Sequence, residues 1–226
     1  MDKKLLILLG IAFITQATTS LVGGLIGIGP FTDSSHLATT LIDISGNIGR
    51  IFTGIFLQVI TAIVIIALGG ALYQAGKHIN KTAAIIAIGL YIVEAIIHII
   101  GQIPVFAITE VSKLFAEYGD TALLANAQLL FAARDFIGAI TMIPFGFGAI
   151  VFYSLILKAG IIPKWLGLWG LITVPLILVG WTLEAFRVVS VPFVLYAPYV
   201  PWEWVAGIYI ITKGLNMVQN NKPNRT

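Results

Sequence analysis

Six long apolar runs dominate the chain and leave it few ways to fold. They are Leu5–Gly29, Ile48–Tyr73, Thr82–Phe106, Phe131–Leu157, Trp165–Val188 and Val200–Val218. An α-helix needs about 20 mostly apolar residues to cross the hydrocarbon core of a bilayer. Inside a bilayer every backbone polar group must be satisfied by the protein itself, which leaves helices or closed barrels. Runs this long and unbroken read as helices. Charged residues make up 10% of the chain and hydrophobic ones 58%, whereas soluble domains carry about 25% charged residues. Six spans use up most of the 226 residues. The expected architecture is all-α: one transmembrane domain over residues 1–226, a polytopic bundle of six spanning helices with the lipid bilayer as its main partner.

The basic residues orient this bundle. With the N-terminus inside, nine of the thirteen lysines and arginines fall on the cytoplasmic side: Lys3, Lys4, Lys77, Lys81, Lys158, Lys164, Lys213, Lys222 and Arg225. That matches the positive-inside bias. It predicts a multi-pass protein of the cell membrane with both termini cytoplasmic. Lys3 and Lys4 before an apolar stretch, then the small polar Ala17–Ser20, resemble a cleaved leader. The apolar pattern resumes through Leu21–Ile28, which favours a retained helix. The sequon Asn80–Thr82 falls in an inside loop and is discounted.

The outer side is predicted to be more elaborate. A short helix is expected from His36 to Ile44. Val111, Leu114, Phe115 and Tyr118 follow i, i+3, i+4, i+7 spacing, an amphipathic stripe that reads as a helix lying at the outer interface. Residues 121–133 extend the fourth helix outward. Pro192, Pro198 and Pro201 break up the last outer loop, and Trp202 and Trp204 suit the interfacial belt. Gly23 with Gly27, and the small residues around Gly146 and Gly148, are read as close-packing positions within one bundle. Pro144 and Pro175 fall inside spans, where each frees a backbone carbonyl.

The rare charges carry the functional signal. Glu94, His98 and Gln102 recur every four residues and form one polar stripe on the third helix. Glu94 lies about 18 Å from the inner end of that helix and His98 about 6 Å further out. A charge facing lipid at the bilayer centre costs about 2.5–3.5 kcal/mol on insertion scales, so the stripe is expected to face the bundle interior. There it can meet Arg50, Arg134 and Arg187, and the carboxylates Asp135, Glu184 and Glu203. These eight residues, with Glu94 and His98 as the floor, are the predicted ligand-binding set. In it the arginines face an anionic group and the acids position the arginines.

Three readings stay open on the residues alone. One is an ion-pair network that orients helices and binds nothing. Another is an outward-facing site for a small molecule, ion or lipid headgroup, in binding or transport. The third is an intramembrane enzyme with His98 as general base, held by Glu94 or Asp135. With no cysteine and one deep histidine, a metal centre is not predicted, and no cofactor is indicated. His36 and His78 are expected in loops. Phosphate loops and nucleophile elbows are missing, and the basic residues form no nucleic-acid patch. Short-looped helices of this kind suit a monomer or a homodimer.

Several segments together carry a family resemblance. They are Leu72-Tyr73, Val93-Glu94-Ala95, Ile162-Pro163-Lys164-Trp165-Leu166, and Pro201 with Glu203 followed by Ile211-Thr212-Lys213-Gly214. The chain resembles the small prokaryotic integral-membrane proteins grouped as domain of unknown function 4386, over most of its length. The resemblance implies a polytopic helical protein without an assigned activity. It also implies that Glu94, Glu203 and Lys213 occupy positions the family pattern carries. That pattern often has arginine three residues before the third-helix glutamate. Here the position is Tyr91, so Glu94 must be satisfied differently.

Overall fold

The computed structural model describes residues 2–32, 36–189, 191 and 193–219. These form eight α-helices: α1 (Lys3–Ile26), α2 (Leu37–Ser45), α3 (Ile48–Gly76), α4 (Lys81–Ile100), α5 (Gln102–Tyr118), α6 (Ala122–Lys158), α7 (Lys164–Ala185) and α8 (Val200–Gln219). A single 3-10 turn, Phe193–Leu195, precedes α8. No strand occurs among the described residues. Pro192 and the basic residues Lys222 and Arg225 of the topology argument lie outside them.

Local chemistry sets the helix ends. The Asp2 side chain accepts the Lys4 N–H at 3.0 Å and starts α1. Asn80 does the same for Ala83 and starts α4. Gly119 and Gly160 end α5 and α6 in the left-handed region, both at φ 66°, where glycine carries no Cβ penalty. The third apolar run is one span by composition, yet it divides at Gly101 into α4 and α5. Pro104 has no N–H to give the Ile100 carbonyl, so the ladder is interrupted there.

Six helices form a ring. α1 packs between α3 and α8, α4 between α3 and α6, and α7 against α6; α7 touches α8 and closes the circuit. Side chains such as Leu9, Phe13, Leu68, Phe152 and Tyr153 fill its centre. The outer faces stay apolar: Ile63, Ile86, Phe147 and Ile172 are each more than half exposed. Burial in protein cannot account for such residues, and lipid can. Lys3–Ile26, Ile48–Gly76, Lys81–Tyr118, Ala122–Lys158 and Lys164–Ala185 are long and apolar enough to cross a membrane. At 1.5 Å per residue α6 is about 55 Å long, well beyond the hydrocarbon core. Its first turns therefore project, as the reading of residues 121–133 expected, and join α2 and α5 at one end of the bundle. Leu41, Ile44, Val105, Ile108, Phe115 and Ala127 form a separate small core there.

Two expectations change. The buried stripe of α5 is Val105, Ile108, Thr109, Ser112 and Phe115, while Leu114 and Tyr118 are exposed. Thr109 and Ser112 can be buried because their hydroxyls donate to the carbonyls of Phe106 and Ile108. The helix therefore turns a partly polar face to α2 and α6 and leaves Leu114 outside. Trp202 is not an interfacial residue either. It is fully buried, donates to the Leu166 carbonyl at 2.7 Å and packs edge-on against Phe13.

The sixth run differs most. α8 runs antiparallel to α1. Gly214 lies on Leu6, Gly207 on Gly10, and Trp204 donates to Thr18 at 3.0 Å. Glu203 meets Gln16, which is thirteen residues into the chain from Lys3 and so about 20 Å along α1. Glu203 therefore lies near mid-depth of the bundle, and α8 begins about one turn further out. The stretch before it descends from the C-terminal end of α7. Tyr196 stacks on Trp181, the Pro198 carbonyl accepts from Trp169 at 2.8 Å, and Tyr199 packs against Phe145. An irregular, re-entrant segment thus leads into α8 within the bundle. Non-helical backbone is tolerated at such depth where protein surrounds it.

Candidate functional site

Arg50 stands apart, and the other seven predicted residues fall in three places. Arg50, in the first turn of α3, is used up by α1: its Nε donates to the Ile26 carbonyl at 2.8 Å and its Nη2 to the Leu25 carbonyl at 3.2 Å. It caps a helix end whose carbonyls lack intrahelical donors and lines neither cavity described below.

Four others come together at the end of the bundle that carries α2 and α5. Arg134, Asp135, Glu184 and Arg187 line one broad cleft of about 920 Å³, with Phe131 and Trp181 as its apolar walls. Asp135 Oδ1 accepts from Arg134 Nε at 2.9 Å and Nη2 at 2.5 Å, and the guanidinium lies over the Phe131 ring. Arg134 Nη1 is buried and has no hydrogen-bond partner. Arg187 follows α7 at φ 55°. Tyr196 donates to Glu184 Oε2 at 3.3 Å.

Arg134 also lines a smaller cavity of about 160 Å³ on the inner side of the helices, with Gln58, His98, Gln102 and Thr141. His98 Nε2 lies 2.8 Å from Gln58 Oε1. An amide oxygen only accepts, so the ring nitrogen donates. Gln58 Nε2 in turn donates to the Ser20 carbonyl at 3.2 Å. The base-and-carboxylate pairing needed for a His98 enzyme is not formed: the partner of His98 is an amide, not Glu94 or Asp135. Gln102 bonds the His98 carbonyl.

Glu94 and Glu203 form the third place, deep between α4, α6, α1 and the start of α8. Both are buried, at 4% and 7% exposure. Tyr199 donates to Glu203 Oε1 at 2.9 Å. In the orientation that satisfies both groups, the Gln16 amide nitrogen donates to both Glu203 oxygens at 2.9 Å. Tyr153 and Tyr199 share a hydroxyl contact of 2.8 Å. Since Tyr199 spends its one proton on Glu203, Tyr153 is the donor in that contact. Tyr91 lies within electrostatic reach of both carboxyls and of Tyr153, and Glu94 within reach of Glu203. Glu94 Oε2 is buried and makes no hydrogen bond. The ion pairs among the described residues are Lys113–Glu110 and Arg134–Asp135; neither deep carboxyl has one.

The predicted single network of Glu94 and His98 with three arginines is therefore not what the helices assemble. Charge-based reading missed Gln16, Gln58, Tyr153 and Tyr199, which complete the two deep sites. Their signal was present in part: Gln16 and Gln58 are isolated amides in apolar runs, where a polar side chain seeks a partner across helices. Buried tyrosines gave no such signal, because most tyrosines near a membrane serve the interface.

No curated protein and no solved structure matches the chain. The family model described as Domain of unknown function (DUF4386) matches residues 8–214. That stretch holds every residue of the three places above and the motifs around Glu94, Pro163 and Lys213, and the chain belongs to this family.

Proposed function

We propose that this membrane protein binds an amphiphilic anion, a lipid or small molecule with an anionic head group, in the cleft around Arg134. The cleft faces the outer side of the cell membrane and serves a binding or transport role. One observation carries the reading: Arg134, which lines both cavities, keeps a buried Nη1 without a hydrogen-bond partner. Asp135 holds the other guanidinium edge, so the free edge is presented in a defined direction. An unmet donor in such surroundings is costly, and an anionic oxygen satisfies it. Phe131 and Trp181 give an apolar body a place to lie.

Native mass spectrometry of protein titrated with phosphatidylglycerol, against phosphatidylethanolamine, tests the reading. Wild type is expected to retain phosphatidylglycerol. Arg134→Gln is expected to bind it about tenfold more weakly, the loss of one charge-assisted hydrogen bond. Arg50→Gln should bind as wild type does, since Arg50 is committed to α1. Equal retention by wild type and Arg134→Gln would refute the proposal.

A further inference from the structure

Glu94 and Glu203 are two buried acids within electrostatic reach of each other, and each is surrounded differently. Glu203 stands in the first turn of α8, where the helix dipole favours negative charge. Three donated hydrogen bonds reach its oxygens, one from Tyr199 and two from Gln16. Glu94 sits in the middle of α4 with no helix end nearby, and its Oε2 meets no donor. The groups facing the pair are Tyr91 from α4, Tyr153 from α6, Tyr199 from the re-entrant segment and Gln16 from α1. None of them brings a positive charge. Among the described residues no lysine, arginine or histidine forms an ion pair with either acid. Two carboxylates in a low-dielectric interior demand a compensating cation, and a helix that starts within the bundle beside an irregular segment is where membrane proteins commonly place ions.

We infer that Glu94 and Glu203 form a buried binding site for one monovalent cation, a proton or a sodium ion, taken up at Glu94. This site shares no residue with the Arg134 cleft and stands whether or not that cleft binds an anion. One cation at the unmet oxygen of Glu94 leaves a single negative charge, on Glu203, where the α8 N-terminus and three donors offset it. The tyrosine chain ending on Glu203 holds the site's geometry, because each hydroxyl is directed by the next acceptor.

The full chain reconstituted in liposomes provides the test, with two measurements. Infrared difference spectra between acidic and alkaline buffer detect a protonated carboxyl by its carbonyl stretch. Thermal unfolding in sodium chloride, against choline chloride at equal ionic strength, detects sodium. A carboxylic band lost in Glu94→Gln supports the site and identifies the proton. A sodium-dependent rise in melting temperature lost in Glu94→Gln supports it and identifies sodium. A band that survives Glu94→Gln, together with unfolding indifferent to sodium, overturns the proposal. If Glu94→Gln does not fold, Tyr199→Phe decides. It keeps both acids and should shift the wild-type band or reduce the sodium effect. A wild type with neither signal, or signals that Tyr199→Phe leaves unmoved, overturns the proposal equally.

Discussion

The hydroxyl chain at the centre of the bundle has a direction, and that direction can be measured. Tyr153 donates to Tyr199, and Tyr199 donates to Glu203. Tyr153→Phe removes one neutral hydrogen bond and leaves Tyr199 still bonded to the acid, a cost of about 1 kcal/mol. Tyr199→Phe removes a bond to an acid, worth about 1.5–3 kcal/mol, and strands the Tyr153 hydroxyl, costing about 1–3 kcal/mol more. Hydrogen bonds between membrane helices average nearer 0.6 kcal/mol, because the denatured chain also finds partners in the membrane. The values should fall toward the low ends, with their order preserved. Removing the Tyr153 hydroxyl in the Tyr199→Phe background should cost nothing or recover stability, because the stranded group goes with it. Phenylalanine keeps the ring and its packing on Trp202, so shape is not confounded. The assay is reversible unfolding in bicelles for wild type, both single variants and the double. Tyr153→Phe as damaging as Tyr199→Phe, or a double variant that loses the sum of the two, would refute the assigned direction.

Other consequences are as direct. A Cβ at Gly54 would lie 2.4 Å from the Gly27 Cα and 2.9 Å from the Gly23 carbonyl, so Gly54→Ala must part α1 from α3; a loss of about 1–3 kcal/mol is expected by the same unfolding assay, and an unchanged stability would deny the close contact. Lys213 Nζ donates to the carbonyls of Gly160 and Ile161 just past the end of α6; Lys213→Met should lower stability by about 1 kcal/mol, and a neutral result would mean that water replaces the lysine. The chain has no cysteine, so Val188→Cys, in the exposed turn after α7, gives a single label site. It should react with an impermeant maleimide added outside intact cells, and reaction only after lysis would invert the proposed orientation.

What was legible in the sequence follows from how strong each physical constraint is. A lipid environment forces long apolar helices, so α1, α3, α4, α6 and α7 could be placed from hydropathy alone. The short helix expected at His36–Ile44 and the extension of α6 through residues 121–133 were also visible, and both segments are helical. The α5 face was misplaced because hydropathy ranks Leu114 above Ser112. In the fold, a serine that bonds its own helix carbonyl is cheap to bury, and a leucine facing lipid costs nothing. Arg50 was misjudged for a related reason. A rare charge in an apolar sequence suggests a charged partner, yet Arg50 is satisfied by two backbone carbonyls. Helix ends supply such carbonyls wherever they occur, and a sequence does not say which end lies beside which side chain.

The sixth run shows the deeper limit. Val200–Val218 counts as a span by length, and its warnings were Pro201, Glu203 and Lys213. Each could be absorbed by an ordinary helix with polar ends. The depth at which α8 begins depends instead on its register against α1, fixed by the contacts of Gly10 with Gly207 and of Gly214 with Leu6. Glycine contacts of this kind carry no side chain from which a register could be read. Yet this register decides the chemistry. Shifted outward by two turns, Glu203 would reach the bundle end, beside water and the Arg134 cleft, and Glu94 would be alone. In the observed register Glu203 is level with Gln16 and interacts with Glu94, the re-entrant segment brings Tyr199 down to it, and the Glu94 oxygen is left unmet. The acids of this family segment thus acquire their relation from backbone packing at two glycine contacts. Gly207→Ala, whose Cβ would fall 2.8 Å from the Gly10 carbonyl, should therefore disturb the cation site as well as stability, although position 207 touches neither acid.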